Sequence, residues 1–241
     1  MARPVLRRAV LVGIGIVVAA VCVRLGVWQL DRLEQRRASN DAVRTGLAAE
    51  PTTLAAAMQA DDPAYRRVVV TGVFDATHEV ILYGRTQEGR PGDHVLTPLV
   101  VSDGEAVLVD RGWIPFEPDR SVPVEGPAAA VEGDVTVEGF LVRSEDTGED
   151  TGPTIDTIQR IDLERLGSQM PYRLAPFALQ LERQSPAVDA PVPAPRPDLP
   201  EGPHLSYAIQ WFAFAVIALG GSILIARRDR ADNHRASAEG R

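Results

Sequence analysis

Apolar and polar residues fall into three regimes along the chain. Val10–Val23 is a run of fourteen apolar residues, and Leu25–Leu30 extends it past Arg24 with little polar content. Tyr207–Ala226 is a second such stretch, twenty residues long, in which Gln210 and Ser222 are the strongly polar members. At 1.5 Å per residue each stretch covers roughly 30 Å as a helix, the thickness of a hydrocarbon core. The pattern predicts two membrane spans, at 10–30 and 207–226, with short tails at 1–9 and 227–241.

Between the spans the period changes. Residues 31–45 are rich in arginine, acidic residues and alanine and are expected to carry the first helix beyond the membrane, where its charges solvate it. A short helix is expected at Leu54–Met58. From Tyr65 onward, short β-branched runs at 66–74, 78–85, 94–101 and 105–114 are separated by turn residues, at a spacing suited to antiparallel pairing. Ser102, Asp103 and Gly104 form a tight-turn signal between the last two. Further alternation marks strands at 134–143 and 177–183, and 162–169 reads as a short helix capped by Asp162. Six strands with little helix predict a small antiparallel sheet or barrel, so 31–184 is an α+β domain dominated by β structure. The acidic stretch 144–153 reads as a solvated loop. Residues 185–203 hold seven prolines and are expected to form a stiff, extended strap leading back to the second span.

Charge gives the spans an orientation. Every one of the 25 basic residues is arginine. Around the first span the count is nearly even, with Arg3, Arg7 and Arg8 before it and Arg32, Arg36, Arg37 and Arg44 after it. The second span decides, because Arg227, Arg228, Arg230 and Arg235 follow it while Arg196 is the near arginine before it. Both tails are therefore expected in the cytoplasm and the central domain outside it. A retained anchor is favoured over a cleaved signal peptide because the first apolar stretch runs beyond signal length, and Val21 stands where a lipoprotein cleavage box needs a small residue. Absence of lysine suggests a GC-rich bacterial genome and hence a cell-membrane protein. Residues 31–206 carry 30 acidic against 16 basic residues, a net of −14, which argues against a nucleic-acid partner.

Enzymatic chemistry has no visible signature. There is no GxSxG elbow, no phosphate-binding glycine loop with lysine and no HExxH. The single cysteine, Cys22, lies within the first span, so neither an intrachain disulfide framework nor a Cys/His zinc cluster is available. A copper-carrying role is disfavoured, since the outward segment lacks cysteine and Met58 and Met170 are isolated.

The outer threshold of the two spans is more informative. The first span leaves there with Trp28, Gln29 and Arg32, and the second enters there with His204, Tyr207 and Trp211 at spacings of three and four. Packed as a hairpin, these sets would meet. A histidine with aromatics and arginines is the inventory for holding a heme: imidazole on iron, rings against the macrocycle, guanidinium on propionates. The same residues also suit a plainer role, with Tyr207, Trp28 and Trp211 as interfacial belt residues, Arg32 as a snorkelling flank and His204 in the headgroup layer. His78 and His94 lie at strand edges and His234 in the last tail, where surface exposure is expected.

The motifs "LGVWQLDRLEQR" (25–36), "YRRVVVTGVFD" (65–75), "GDHVLTPLV" (92–100), "VLVDRGWIP" (107–115) and "HLSYAIQWFAFA" (204–215), in this order between two terminal spans, resemble those of the surfeit locus protein 1 family. That resemblance covers nearly the whole chain. It implies an assembly factor, not an enzyme, that helps place heme a into the catalytic subunit of a cytochrome c oxidase. The implied partners are that subunit and proteins of heme a synthesis or assembly. His204 matches the position linked to heme a in bacterial members, so heme a is the implied, transient cofactor. Gly112 and Trp113 match the family's strand-end motif, which makes them, with Arg111, candidate partner contacts; a turn glycine and a packed indole explain them equally well. The alternative is a membrane scaffold that holds oxidase assembly partners together without binding cofactor.

Overall fold

The computed structural model describes residues 2–102, 104–118, 121–145 and 156–239, without the side chains of 2–5 and 228–239. Most of the acidic loop expected at 144–153, Asp103 of the expected turn and the side chains of Arg3, Arg228, Arg230, His234 and Arg235 lie outside the described residues. The chain divides into two compact units: Met1–Asp41 with Asp198–Arg241, and Ala42–Pro197.

The first unit is an antiparallel pair of helices, α1 (Ala2–Ala48) and α4 (His204–Glu239). No proline interrupts either helix after Pro4, whereas Pro195, Pro197, Pro200 and Pro203 keep the chain extended until α4 starts directly after the last of them. As expected, α1 continues through 31–45; it ends at Ala48, beyond the unit boundary. Both helices are long and apolar enough to cross a membrane by length and composition. Their outward faces carry exposed Ile14, Val17, Val21, Ile209, Val216 and Ile217. Facing each other are two seams stepping by three and four residues: Gly15, Ala19, Cys22, Gly26, Gln29 and Leu33 on α1, and His204, Ala208, Trp211, Ala215, Ala218 and Ser222 on α4. Such a 3.5-residue period is that of a left-handed pair. Small residues let the backbones approach: a Cβ on Gly15 would lie 2.0 Å from Ser222 Oγ, and one on Gly26 2.7 Å from the Phe212 ring. Past the apolar zone the contacts become polar. Buried Asn40 donates to the Leu199 carbonyl at 2.9 Å, Arg36 to that of Pro200 at 3.2 Å, and Arg37 pairs with Glu201 at 2.8 Å.

The second unit is a β-barrel with additions. After β1 (Thr52–Thr53) and α2 (Leu54–Ala57) come β2 (Arg67–Phe74), β3 (Val80–Gln87), β4 (Arg90–Ser102), β5 (Glu105–Pro115), β6 (Asp134–Arg143), β7 (Thr157–Ile158), α3 (Leu163–Gly167), β8 (Arg173–Leu174) and β9 (Phe177–Ser185). Hydrogen bonding runs in the order β2-β6-β9-β5-β4 and returns to β2, closing a five-stranded ring. Closure occurs where Val73 and Phe74 pair with Val100 and Leu99. Gly72 permits it, since a Cβ there would lie 2.3 Å from the Val100 carbonyl oxygen. Inside the ring pack Val68, Val70, Leu99, Val107, Val109, Val137, Leu141 and Leu179. A second apolar layer, with Leu82, Leu96, Leu108, Leu163 and Leu166, covers the other face of β4 and β5 beneath α3 and β7. Because β5 is buried on both faces, its sequence reads as a continuous run rather than an alternation.

Pairing is mostly antiparallel, but within the ring β5 and β9 run parallel through Val109↔Leu179 and Asp110↔Gln180, and the two-residue strands β1, β7 and β8 add to β2, β3 and β5 in parallel. The proline strap forms no helix, bends at Pro186, Asp189 and Pro191, and is docked from there on. Val192 forms a two-way backbone bridge with Trp113 (2.7 and 3.0 Å), Gln180 donates to the Pro195 carbonyl, and Arg196 pairs with Glu182 at 2.5 Å.

Two histidines differ from expectation. His78 is half-buried and its Nδ1 lies 2.7 Å from the Asp75 carboxylate. His94 is also half-buried, with Nδ1 2.9 Å from Asp110. Each found a carboxylate that linear spacing did not mark as a partner, so neither is a free surface residue.

Candidate functional site

The helical unit places His204 at the first position of α4, half-buried, on the seam that faces α1. Its Nδ1 lies 2.9 Å from Oε1 of Gln29. A carbonyl oxygen only accepts, so Nδ1 carries the proton and donates, and the lone pair resides on Nε2. Local sequence explains the placement. The prolines before α4 bar an earlier helix start, and the step of three from Gly26 to Gln29 keeps the amide on the seam.

The remaining predicted residues gather around this pair unevenly. Trp211 lies on the seam against the Ala19, Cys22 and Ala215 cluster, with its ring edge-on to Phe214 at 5.9 Å. Tyr207 is one step off the seam and 47% exposed, so the three-residue spacing from His204 turns it outward. Trp28, 43% exposed, also faces outward, beneath the Arg32 guanidinium at 5.6 Å from the ring centre. Arg32 further donates to Gln35 at 3.0 Å. His204 with Gln29, and Trp28 with Arg32, are thus two neighbouring pairs on the hairpin rather than one closed pocket. The donor types nonetheless suit an iron porphyrin on the outward face: an imidazole nitrogen, flat aromatic surfaces and a guanidinium. Sequence reasoning brought Gln29 to this level without giving it a role; a carboxamide inside a small-residue seam is the signal that could have found it.

The motif Arg111, Gly112, Trp113 lies in the barrel and plays three internal parts. The Arg111 side chain is wholly buried, as is its partner Glu79, at 3.0 Å. Arg111 also donates to the Ala128 and Ala129 carbonyls at 2.8 and 2.7 Å and stands over the Phe74 ring at 5.4 Å. Glu79 accepts from Thr97 at 2.6 Å and from the Val124 backbone at 2.7 Å. Burial is the largest influence on Arg111 and pulls its pKa below the usual arginine value, against the opposing pull of Glu79. Gly112 has φ of +124°, and a Cβ there would lie 2.2 Å from the Val192 carbonyl oxygen. It is glycine because the strap lies on it. Trp113 is 5% exposed, and its indole N–H has no partner among the described residues. Its ring lines a cleft of about 560 Å³ with Asp93, Glu117, Glu125, Ala190 and Val192. Of the three, Trp113 alone borders an open space.

One further cluster is a carboxylate with three donors. Asp75 accepts from Thr77, from His78 and, at 3.1 Å, from the Tyr172 hydroxyl. Burial opposes its ionisation, but the donated hydrogen bonds outweigh burial and hold its pKa below the ordinary value. Burial, then the Asp75 charge, pushes Tyr172 well above the usual tyrosine range.

The family model described as SURF1 family matches residues 16–216. An uncharacterized SURF1-like protein of Mycobacterium tuberculosis is 30% identical over 203 residues, covering 80% of this chain and 73% of the relative. A SURF1-like protein of Monosiga brevicollis is 27% identical over 232 residues, covering 88% and 85%. Over 114 residues, 46% of this chain and 29% of the relative, the chain is 32% identical to the cytochrome oxidase assembly protein SHY1 of Saccharomyces cerevisiae.

Proposed function

The chain belongs to the SURF1 family, and from that premise we propose that it is an assembly factor for a heme-copper cytochrome c oxidase, handling heme a at His204 for the catalytic subunit. Oxidase assembly is supported by the name of the yeast relative. Heme handling rests on one observation, the His204 imidazole held by Gln29 with Nε2 left as the donor atom. His204 would hold the iron of a bound heme through that nitrogen. Trp28 and Tyr207 would offer ring faces, Trp211 would back the helix, and Arg32 would meet a propionate.

On this reading the protein is a carrier and not an enzyme. It resides in a bacterial cell membrane with two spans, both termini cytoplasmic and the barrel extracytoplasmic, as the arginines after the second span favour. Its partners are the oxidase catalytic subunit and proteins that make or deliver heme a.

A second reading, a scaffold without cofactor, is favoured by the outward exposure of Trp28 and Tyr207, which do not enclose His204. Absorption spectra separate the two. Protein solubilised from cells making heme a should carry pigment that His204→Ala loses while remaining folded, and the membrane oxidase spectrum of that variant should weaken. Colourless wild-type protein with a normal oxidase spectrum in His204→Ala would overturn heme handling and leave the scaffold.

A further inference from the structure

Gln29 lies on an apolar seam, where a carboxamide is costly unless its polar atoms are satisfied. Its carbonyl oxygen is spent on His204 Nδ1 at 2.9 Å. On the opposite edge of the imidazole stands Gly202, with φ of +75°; a Cβ there would lie 3.4 Å from Cδ2 and 3.5 Å from Nε2 of His204. Any side chain at 202 would therefore rest on the nitrogen that holds the lone pair. One edge of the ring is gripped and the other faces a residue without a side chain.

We propose that Gln29 is the positioning residue of the His204 site: by accepting the Nδ1–H hydrogen bond it fixes one tautomer and presents Nε2, on the side where Gly202 carries no side chain, as the donor to a porphyrin iron. This rests on the reading of His204 as ligand, but the tautomer is a property of the chain alone and can be measured without heme. Imidazole free in water prefers the proton on Nε2, the tautomer in which that nitrogen cannot ligate. Gln29 removes this handicap and sets the ring plane before the iron arrives. Outer partners of metal-bound histidines act in this way, and their loss typically weakens metal binding about 10- to 100-fold. The carbonyl is neutral, so it directs the proton without making the imidazole as strong a donor as a carboxylate would, which suits a ligand that must later let go.

The test uses the full chain in detergent micelles. With ¹⁵N-histidine labelling and His204→Ala for assignment, the heme-free protein should show His204 protonated at Nδ1. Gln29→Leu should move that proton to Nε2, and Gln29→Glu should leave it on Nδ1. Unchanged His204 ring signals in Gln29→Leu would overturn the positioning role whatever heme does. Titration with hemin supplies the second measurement. Gln29→Leu should bind it about 10- to 100-fold more weakly, Gln29→Glu should bind it with a lowered midpoint potential, and Gly202→Ala should weaken it while keeping the wild-type tautomer. Equal hemin affinity in Gln29→Leu and wild type overturns the proposal; equal affinity in His204→Ala and wild type overturns the ligand reading on which it rests.

Discussion

The two units each join a basic side chain to an oxygen across elements distant in sequence, and they do so to opposite ends. In the barrel, Arg111 and Glu79 are wholly enclosed, and their remaining hydrogen-bonding capacity is largely met by Thr97 and by the backbone at Val124, Ala128 and Ala129. In the helical unit, His204 and Gln29 meet once, half-buried, and a ring nitrogen is left over. An enclosed pair holds loops to a barrel and has nothing to offer a ligand. A half-open pair contributes little to stability and can do chemistry. The difference teaches that the most buried polar residue of a motif is its structural anchor, while the functional candidate is the one whose unspent atom belongs to a half-open pair.

The sharpest way to break this contrast is to remove one enclosed partner. Arg111→Leu strands the Glu79 carboxylate and should destabilise the protein by about 3–5 kcal/mol, read as a lowered denaturation midpoint of the solubilised chain. Arg111→Met with Glu79→Leu should restore most of that loss, because the penalty lies in the orphaned charge. Next in size is Gly112→Ala. Its Cβ meets the Val192 carbonyl at a positive φ, and a cost of about 1–3 kcal/mol is expected, with faster proteolysis of the strap at 185–197. His204→Ala should cost about 1 kcal/mol or less, the worth of one half-exposed hydrogen bond, while abolishing pigment. A stability loss as large as that of Arg111→Leu would erase the distinction between the two pairs.

The smallest effect concerns acid. Asp75 has a folded pKa below its ordinary 3.8, so its stabilising contribution is present above that value and disappears as pH falls through the lower folded value. Asp75→Asn should flatten the acid limb of the stability curve and leave the limb near neutrality little changed in slope.

Much of the fold was legible because its signals are local. The strand at 134–143 and the Asp162 cap were marked by alternation and by a carboxylate preceding a short helix, and both are found there. The β3-β4 hairpin was not. Its turn is Glu88–Gly89, with φ of 51° and 76°, whereas Pro91 and Gly92 look like turn residues and in fact begin β4. Two-residue strands such as β1, β7 and β8 are too short to show a period. The parallel β5-β9 contact joins residues some seventy apart, which no local pattern encodes. At the candidate site the residue types were readable and their partners were not. Tyr207 reads as one face with His204 because three-residue spacing is ambiguous on a helix, and burial places it outside. Gln29 reads as one polar residue among several until α4 is laid against it.

Between α1 and α4 half of the facing residues are glycine or alanine, so part of the seam looks alike to a partner sliding along it. A shift of one heptad would trade one small contact for another over part of that length. It would, however, set His204 opposite Cys22 or Arg36 instead of Gln29. The histidine and the amide are therefore also an alignment key for the helix pair, and a chain that loses either member forfeits its index mark along with its donor atom.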